Sequence, residues 1–131
     1  MNELTHINDI CLFVPDMTKA IEFYTKKMEF EIEFQRALDY VILKFQGTSL
    51  TLWNENEIKK YAIDKEYIDG NGHHFMIAIR LNNINDVVNA SNHLKKNGVE
   101  CIAEPKDYHW RCRAAYFKDI FGNIWELFAF L

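Results

Sequence analysis

Three kinds of side chain in this sequence offer chemistry beyond packing. The cysteines, Cys11, Cys101 and Cys112, sit inside apolar, strand-like runs and are odd in number. With no Cys-x-x-Cys spacing they point to neither a zinc knuckle nor a disulfide framework. They read as reduced, buried thiols of a cytoplasmic protein. Among the histidines, His6 and His73 read as surface residues at strand ends. Aromatic residues make up 15% of the chain, and residues 104–111 bring Tyr108, Trp110 and Arg111 together. With Trp53 and Phe13, these rings are suited to sandwich a flat ligand, and Arg111 or Arg113 to pair an anionic group on it. The alternative employment of each ring is ordinary packing or a dimer contact. As a group they favour a ligand site, because exposed aromatics are seldom kept without use.

The bulk properties narrow the partners. At 131 residues the chain is one domain by length, long enough for a single core. A net charge of −4 without a Lys/Arg-rich patch disfavours nucleic acid and anionic membrane. No run approaches the ~18 apolar residues of a membrane span. The segment Met1-Asn2-Glu3-Leu4-Thr5-His6 lacks the basic and apolar regions of a signal peptide.

The elements that must position these side chains occur twice. Residues 7–14 read as a strand, Asp16 as a helix N-cap, and Ala20, Ile21, Phe23, Tyr24 and Met28 recur at helical spacing. Strands are expected at 31–35, 40–45 and 49–54, then a polar connector over 55–72 with a short helix near 57–62. The order restarts with a strand at 75–81 and a helix at 84–96, closed by Asn97-Gly98. Strands at 100–103, 112–117 and 124–130 follow, with a turn at 119–123. An offset of 67 pairs Val14 with Leu81 and Ile21 with Val88; in the last hairpins an offset of 75 pairs Gly47 with Gly122 and Leu52 with Leu127. The expected fold is therefore α+β, with two βαβββ modules at about 5–54 and 73–131. Their sheets would form a curved surface enclosing a cleft, with the helices outside.

These motifs resemble the vicinal oxygen chelate superfamily, which includes glyoxalase I, extradiol dioxygenases and bleomycin-resistance proteins. The resemblance is carried by Val14-Pro15-Asp16 followed by Ala20-Ile21-Glu22-Phe23-Tyr24, by Lys95-Lys96-Asn97-Gly98, and by the closing Tyr116-Phe117-Lys118-Asp119-Ile120-Phe121-Gly122-Asn123-Ile124-Trp125-Glu126-Leu127. In that last motif Ile120-Phe121 replace the usual Pro-Asp. Metal-dependent members hold a divalent ion at four inward positions, which the resemblance maps onto Asp9, Thr51, Met76 and Glu126. Only Glu126 is a regular ligand for such an ion; Asp9 is a possible substitute, Met76 a soft thioether and Thr51 a poor neutral donor. His74, two residues before Met76 on the same strand face, is about 6.6 Å displaced along the strand.

Strand alternation around those four positions defines the expected cleft lining. It comprises Ile7, Cys11, Phe13, Ser49, Trp53, His74, Ala78, Arg80, Ile124 and Phe128. The opposite set, including Leu12, Val14, Leu52, Trp125 and Leu127, is expected to form the core. The stretch 104–111 is expected as a loop overhanging the cleft. Asp9 and Glu126 are expected as neighbours whose repulsion raises one carboxyl's affinity for its proton, unless one of them pairs with Arg80. Two functions follow. The first is a metal-free binding protein of the bleomycin-resistance type, holding a small, partly aromatic molecule by Phe13, Thr51, Trp53, His74, Met76, Arg80, Trp110 and Arg111. The second is a lyase or isomerase of the glyoxalase type, with Glu126 and Asp9 catalytic and a divalent metal ion weakly held. The resemblance also implies a homodimer, which would cover open sheet edges.

Overall fold

A computed structural model describes residues 5, 7–58, 60 and 76–131. The chain divides into two compact units, residues 1–70 and 71–131. The first contains β1 (Asp9–Val14), α1 (Met17–Glu22), a π-helical turn (Phe23–Lys27), β2 (Ile32–Arg36), β3 (Tyr40–Leu43), β4 (Ser49–Asn54) and α2 (Glu55–Ile58). The second contains β5 (Met76–Arg80), α3 (Ile84–Lys96), β6 (Glu100–Tyr108), β7 (Cys112–Lys118) and β8 (Ile124–Phe130).

Each unit holds one four-stranded sheet, in the orders β1-β4-β3-β2 and β5-β8-β7-β6. In both, the first strand runs parallel to the last and the remaining pairs are antiparallel. The fold is α+β, and its register agrees with the duplication. Asp9 stands opposite Ser49 and Cys11 opposite Thr51; Met76 stands opposite Ile124 and Ala78 opposite Glu126. These are the pairs that the two sequence offsets make equivalent.

Local chemistry explains the helices. Asp16 caps α1 by accepting from the Lys19 amide at 3.0 Å, which satisfies one of the helix's orphan donors. The helix then widens into a π turn, where the Met28 amide donates to the Phe23 carbonyl at 3.1 Å. Thr25 contributes by donating its hydroxyl back to the Ile21 carbonyl at 2.6 Å. Phe23 and Tyr24 are buried there as an edge-to-face pair. In α3, Asn83 caps the start and Val87, Ser91 and Leu94 form the buried stripe. Gly98, at φ 87°, ends the helix in the left-handed conformation glycine tolerates. Helix α1 packs on β4, and α3 on β6, β7 and β8. One face of each sheet is thereby covered, and Leu12, Val14, Leu50 and Leu52 in the first unit, with Trp125 and Leu127 in the second, are buried.

Two expectations need correction. Strand β6 does not stop at residue 103 but continues to Tyr108, so 104–108 is strand and only His109, Trp110 and Arg111 form the loop. Pro105 is tolerated because β6 is an edge strand and its register to β7 shifts between Ala103 and Lys106. The short helix after β4 begins at Glu55 rather than 57.

Candidate functional site

The face of the first sheet that carries Asp9, Thr51 and Trp53 has a polar end and an aromatic end. At the polar end the Thr51 hydroxyl donates to Asp9 Oδ1 at 2.8 Å. Thr51 is only 1% exposed, so its hydroxyl needs a partner, and the carboxylate one strand away provides it. Cys11, opposite Thr51, has its thiol pushed up to about 12 by burial and then by the Asp9 charge. A thiol in that state is a poor nucleophile. At the aromatic end Phe13 stands opposite Trp53, and Trp53 meets Tyr40 edge-to-face at 5.2 Å. Tyr40 meets Phe34 at 6.4 Å and receives the Arg36 guanidinium over its ring at 5.5 Å. The Trp53 indole N–H is buried without a hydrogen-bond partner among the described residues.

On the second sheet, Glu126 stands opposite Tyr116. The Tyr116 hydroxyl hydrogen-bonds the carboxylate, which together with burial and the carboxylate's charge raises its pKa to about 12. The turn between β7 and β8 sets this pairing. Asp119 accepts from the Phe121 and Asn123 amides at 2.9 and 2.7 Å, while Gly122 takes φ 87°. The turn thus closes without the Pro-Asp that Ile120-Phe121 replace. Met76 is 46% exposed at the start of β5. Arg80 lies over the Phe130 ring at 4.7 Å rather than against a carboxylate.

The hairpin between β6 and β7 carries the remaining rings. Trp110 is 51% exposed and stacks on Tyr108, with centroids 4.6 Å apart. Tyr108 in turn meets Tyr116 edge-on at 6.3 Å. A continuous line of side chains therefore runs from an exposed indole, through two phenols, to the Glu126 carboxylate. Arg111 closes the loop at φ 64°, its amide donating to the Tyr108 carbonyl at 3.0 Å. That is an uncommon conformation for a residue with a side chain. Arg113 is committed to Asp107 through two bonds of 2.7 and 3.1 Å, which removes it as an anion partner.

The residues expected from sequence thus fall into two sets, Asp9, Phe13, Thr51 and Trp53 in the first unit and Met76, Arg80, Trp110, Arg111 and Glu126 in the second. His74 lies outside the described residues, as do His6 and His73. Sequence reasoning missed Tyr116, Tyr40 and Lys106. Tyr116 was within reach of hairpin arithmetic, since a turn centred on Phe121 places it across from Glu126. Among the described residues no three His, Cys, Asp or Glu side chains gather as a metal cluster. The four family ligand positions also fit a first-row ion poorly by donor chemistry. Thr51 gives its proton to Asp9, Glu126 accepts from Tyr116, and Met76 offers only a thioether.

Comparison with known proteins places this arrangement. Residues 4–127 match the profile of the Glyoxalase/Bleomycin resistance protein/Dioxygenase superfamily. The Bacillus subtilis (strain 168) protein YraH is 25% identical over 126 residues, spanning 93% of this chain and 96% of its own. A glyoxalase/bleomycin resistance protein/dioxygenase from Nocardioides superposes with a TM-score of 0.84 at 28% identity, over 100% of this chain and 87% of its own. Lactoylglutathione lyase from Agrobacterium tumefaciens shares the fold, with a TM-score of 0.74 at 16% identity over 98% and 96% of the two chains.

Proposed function

The chain belongs to the Glyoxalase/Bleomycin resistance protein/Dioxygenase superfamily, and on that premise we propose that it is a metal-free binding protein of the bleomycin-resistance type. It holds a small, partly aromatic molecule against the second unit, at Trp110 and Glu126. The observation that carries this reading is the track Trp110–Tyr108–Tyr116–Glu126. The indole, stacked on a phenol and met edge-to-face by the His109 ring at 4.8 Å, still keeps about half its surface for a planar guest. Tryptophan fluorescence during titration with planar aromatic compounds tests it. Quenching is expected, and Trp110→Ala should weaken binding by the ~0.5–1.5 kcal/mol of an aromatic pair. If no planar compound quenches the emission or raises the melting temperature, the proposal fails.

A second reading is favoured by the Tyr116–Glu126 pair. It is a lyase or isomerase of the glyoxalase type, in which Glu126 takes a proton next to a carbonyl and Asp9 assists. Elemental analysis of the purified protein separates the two. Stoichiometric Ni, Zn, Mn or Fe that disappears in Glu126→Gln would replace the first reading with the second.

A homodimer is part of the proposal, supported by the edge strand β2, whose Ile32 and Phe34 are exposed. A monomeric mass by light scattering would remove it. Cytoplasmic residence is also proposed, supported by the three free thiols Cys11, Cys101 and Cys112; cell fractionation checks it. No helix among the described residues is long and apolar enough to cross a membrane.

A further inference from the structure

The charge of the ligand follows from how the cations of the second sheet are employed. Most cations that pair in this molecule do so with carboxylates: Lys44 with Glu31, Lys95 with Glu104, Arg113 with Asp107 and Lys118 with Glu100. Arg80 and Lys106 depart from that pattern in the second unit, as Arg36 over Tyr40 does in the first. The Arg80 guanidinium sits 4.7 Å from the centre of the Phe130 ring, and the Lys106 ammonium 5.5 Å from that of Tyr108. Neither makes a salt bridge among the described residues.

A carboxylate was available to Arg80. It stands opposite Phe128 on β8, one alternation beyond Glu126, which is opposite Ala78. Yet Glu126 is engaged by Tyr116 from β7, and Arg80 turns the other way, toward Phe130. Both Arg80 and Phe130 are exposed, Phe130 at 54%. Lys106 belongs to the same row. Register runs from Arg80 to Phe128, Ala114 and Lys106 across the sheet, three interstrand spacings or roughly 14 Å. This face therefore has a cation on a ring at either edge and, in between, the Glu126 carboxylate occupied by Tyr116. A guanidinium resting on a ring keeps its N–H edge free for a planar, bidentate acceptor.

We infer that the ligand is a planar aromatic anion of the carboxylate class, its charged group paired edge-on with Arg80 and its ring lying against Phe130. This rests on the proposed aromatic binding and goes further by fixing the charge and the group that reads it. The chain's net charge of −4 gives no general attraction for anions, so the preference is local to this row.

A matched pair of probes tests the inference. Naphthoate and naphthamide share a ring system and differ in charge, and their binding to the full chain is followed by tryptophan fluorescence and calorimetry. Naphthoate is expected to bind at least about tenfold more tightly, as one charge-assisted pair allows. Arg80→Gln should lose about that factor for naphthoate and leave naphthamide unchanged, and Arg80→Lys should recover part of it. Arg80 is exposed, so circular dichroism should show both variants folded. Naphthamide binding as well as naphthoate overturns the inference and leaves the aromatic reading standing. So does a naphthoate preference that survives Arg80→Gln. Binding of neither probe overturns both together.

Discussion

In the first sheet a hydroxyl on β4 donates to a carboxylate on β1; in the second a hydroxyl on β7 reaches a carboxylate on β8. The strands involved do not correspond: β4 and β1 are matched in the second unit by β8 and β5, so the chemistry has moved to the neighbouring pair. Opposite Thr51 the first unit has Ile42, where the second has Tyr116 opposite Glu126. The helix-facing sides did not diverge in this way. Leu52 and Leu127, equivalent by the second offset, are both buried beneath their helices' sheets. Burial constrains both copies alike, since each sheet must exclude water from one face. The opposite faces are less uniform, with Thr51 and Ala114 buried but Met76 and Phe130 exposed. One became a row of rings beside a self-satisfied Asp9–Thr51 pair, and the other a track ending in a carboxylate, with cations resting on rings at its edges.

The largest effect should therefore be symmetric. Leu52→Ala and Leu127→Ala should each cost about 2–5 kcal/mol, the usual loss for a buried leucine, read from urea unfolding. A cost near 1 kcal/mol at one site and several at the other would break the equivalence of the two cores.

The same contrast explains what the sequence made legible. Strand alternation found Asp9, Cys11 and Phe13 on one side of β1 and buried Leu12 and Val14 on the other, because a sheet covered on one face enforces a period of two. It also supplied the offsets, since register in a parallel pair is fixed along its whole length. The extent of β6 was not legible. Pro105 and the charges around it read as a loop, but an edge strand needs only one side bonded and tolerates both. The fate of Arg113 was hidden for a related reason. Its partner Asp107 becomes its cross-strand neighbour only once β6 runs that far. The π turn at Phe23–Lys27 carries no pattern distinct from a helix, and nothing but the Thr25 back-bond announces it. Arg80's choice of a ring over a carboxylate is equally invisible to spacing, since it depends on Tyr116 having already taken Glu126.

A smaller effect sharpens the polar half of the comparison. Thr51→Val keeps the shape of a buried side chain and removes only its hydroxyl. Stability should fall by about 1 kcal/mol, the net worth of one hydrogen bond. An unchanged urea midpoint would mean that the pairing with Asp9 contributes nothing to the first sheet.

The smallest effect on stability, and the most specific to the second sheet, is the ionisation of Tyr116. Its pKa is raised to about 12, first by its hydrogen bond to Glu126 and then by burial and the carboxylate's charge. In the unfolded chain a tyrosine titrates near 10. Below that pH Tyr116 is neutral in both states, and the pairing's contribution to stability is fully present. As pH rises from 10 toward 12 the unfolded chain releases the proton while the folded one keeps it, so the contribution declines; above 12 it is gone. The difference in tyrosinate absorbance between the wild-type protein and Tyr116→Phe should accordingly appear only near pH 12. Glu126→Gln should move that difference back toward 10 by removing the charge that holds the proton in place. Tyr116→Phe should also flatten the decline of stability between the two pH values, whereas Thr51→Val should leave it as in the wild type, because Asp9 lies on the other sheet. A late-titrating tyrosine that persists in Glu126→Gln would assign the shift to burial and to the hydrogen bond an amide oxygen can still accept, not to the carboxylate's charge. The second sheet would then lose the feature that most separates it from the first.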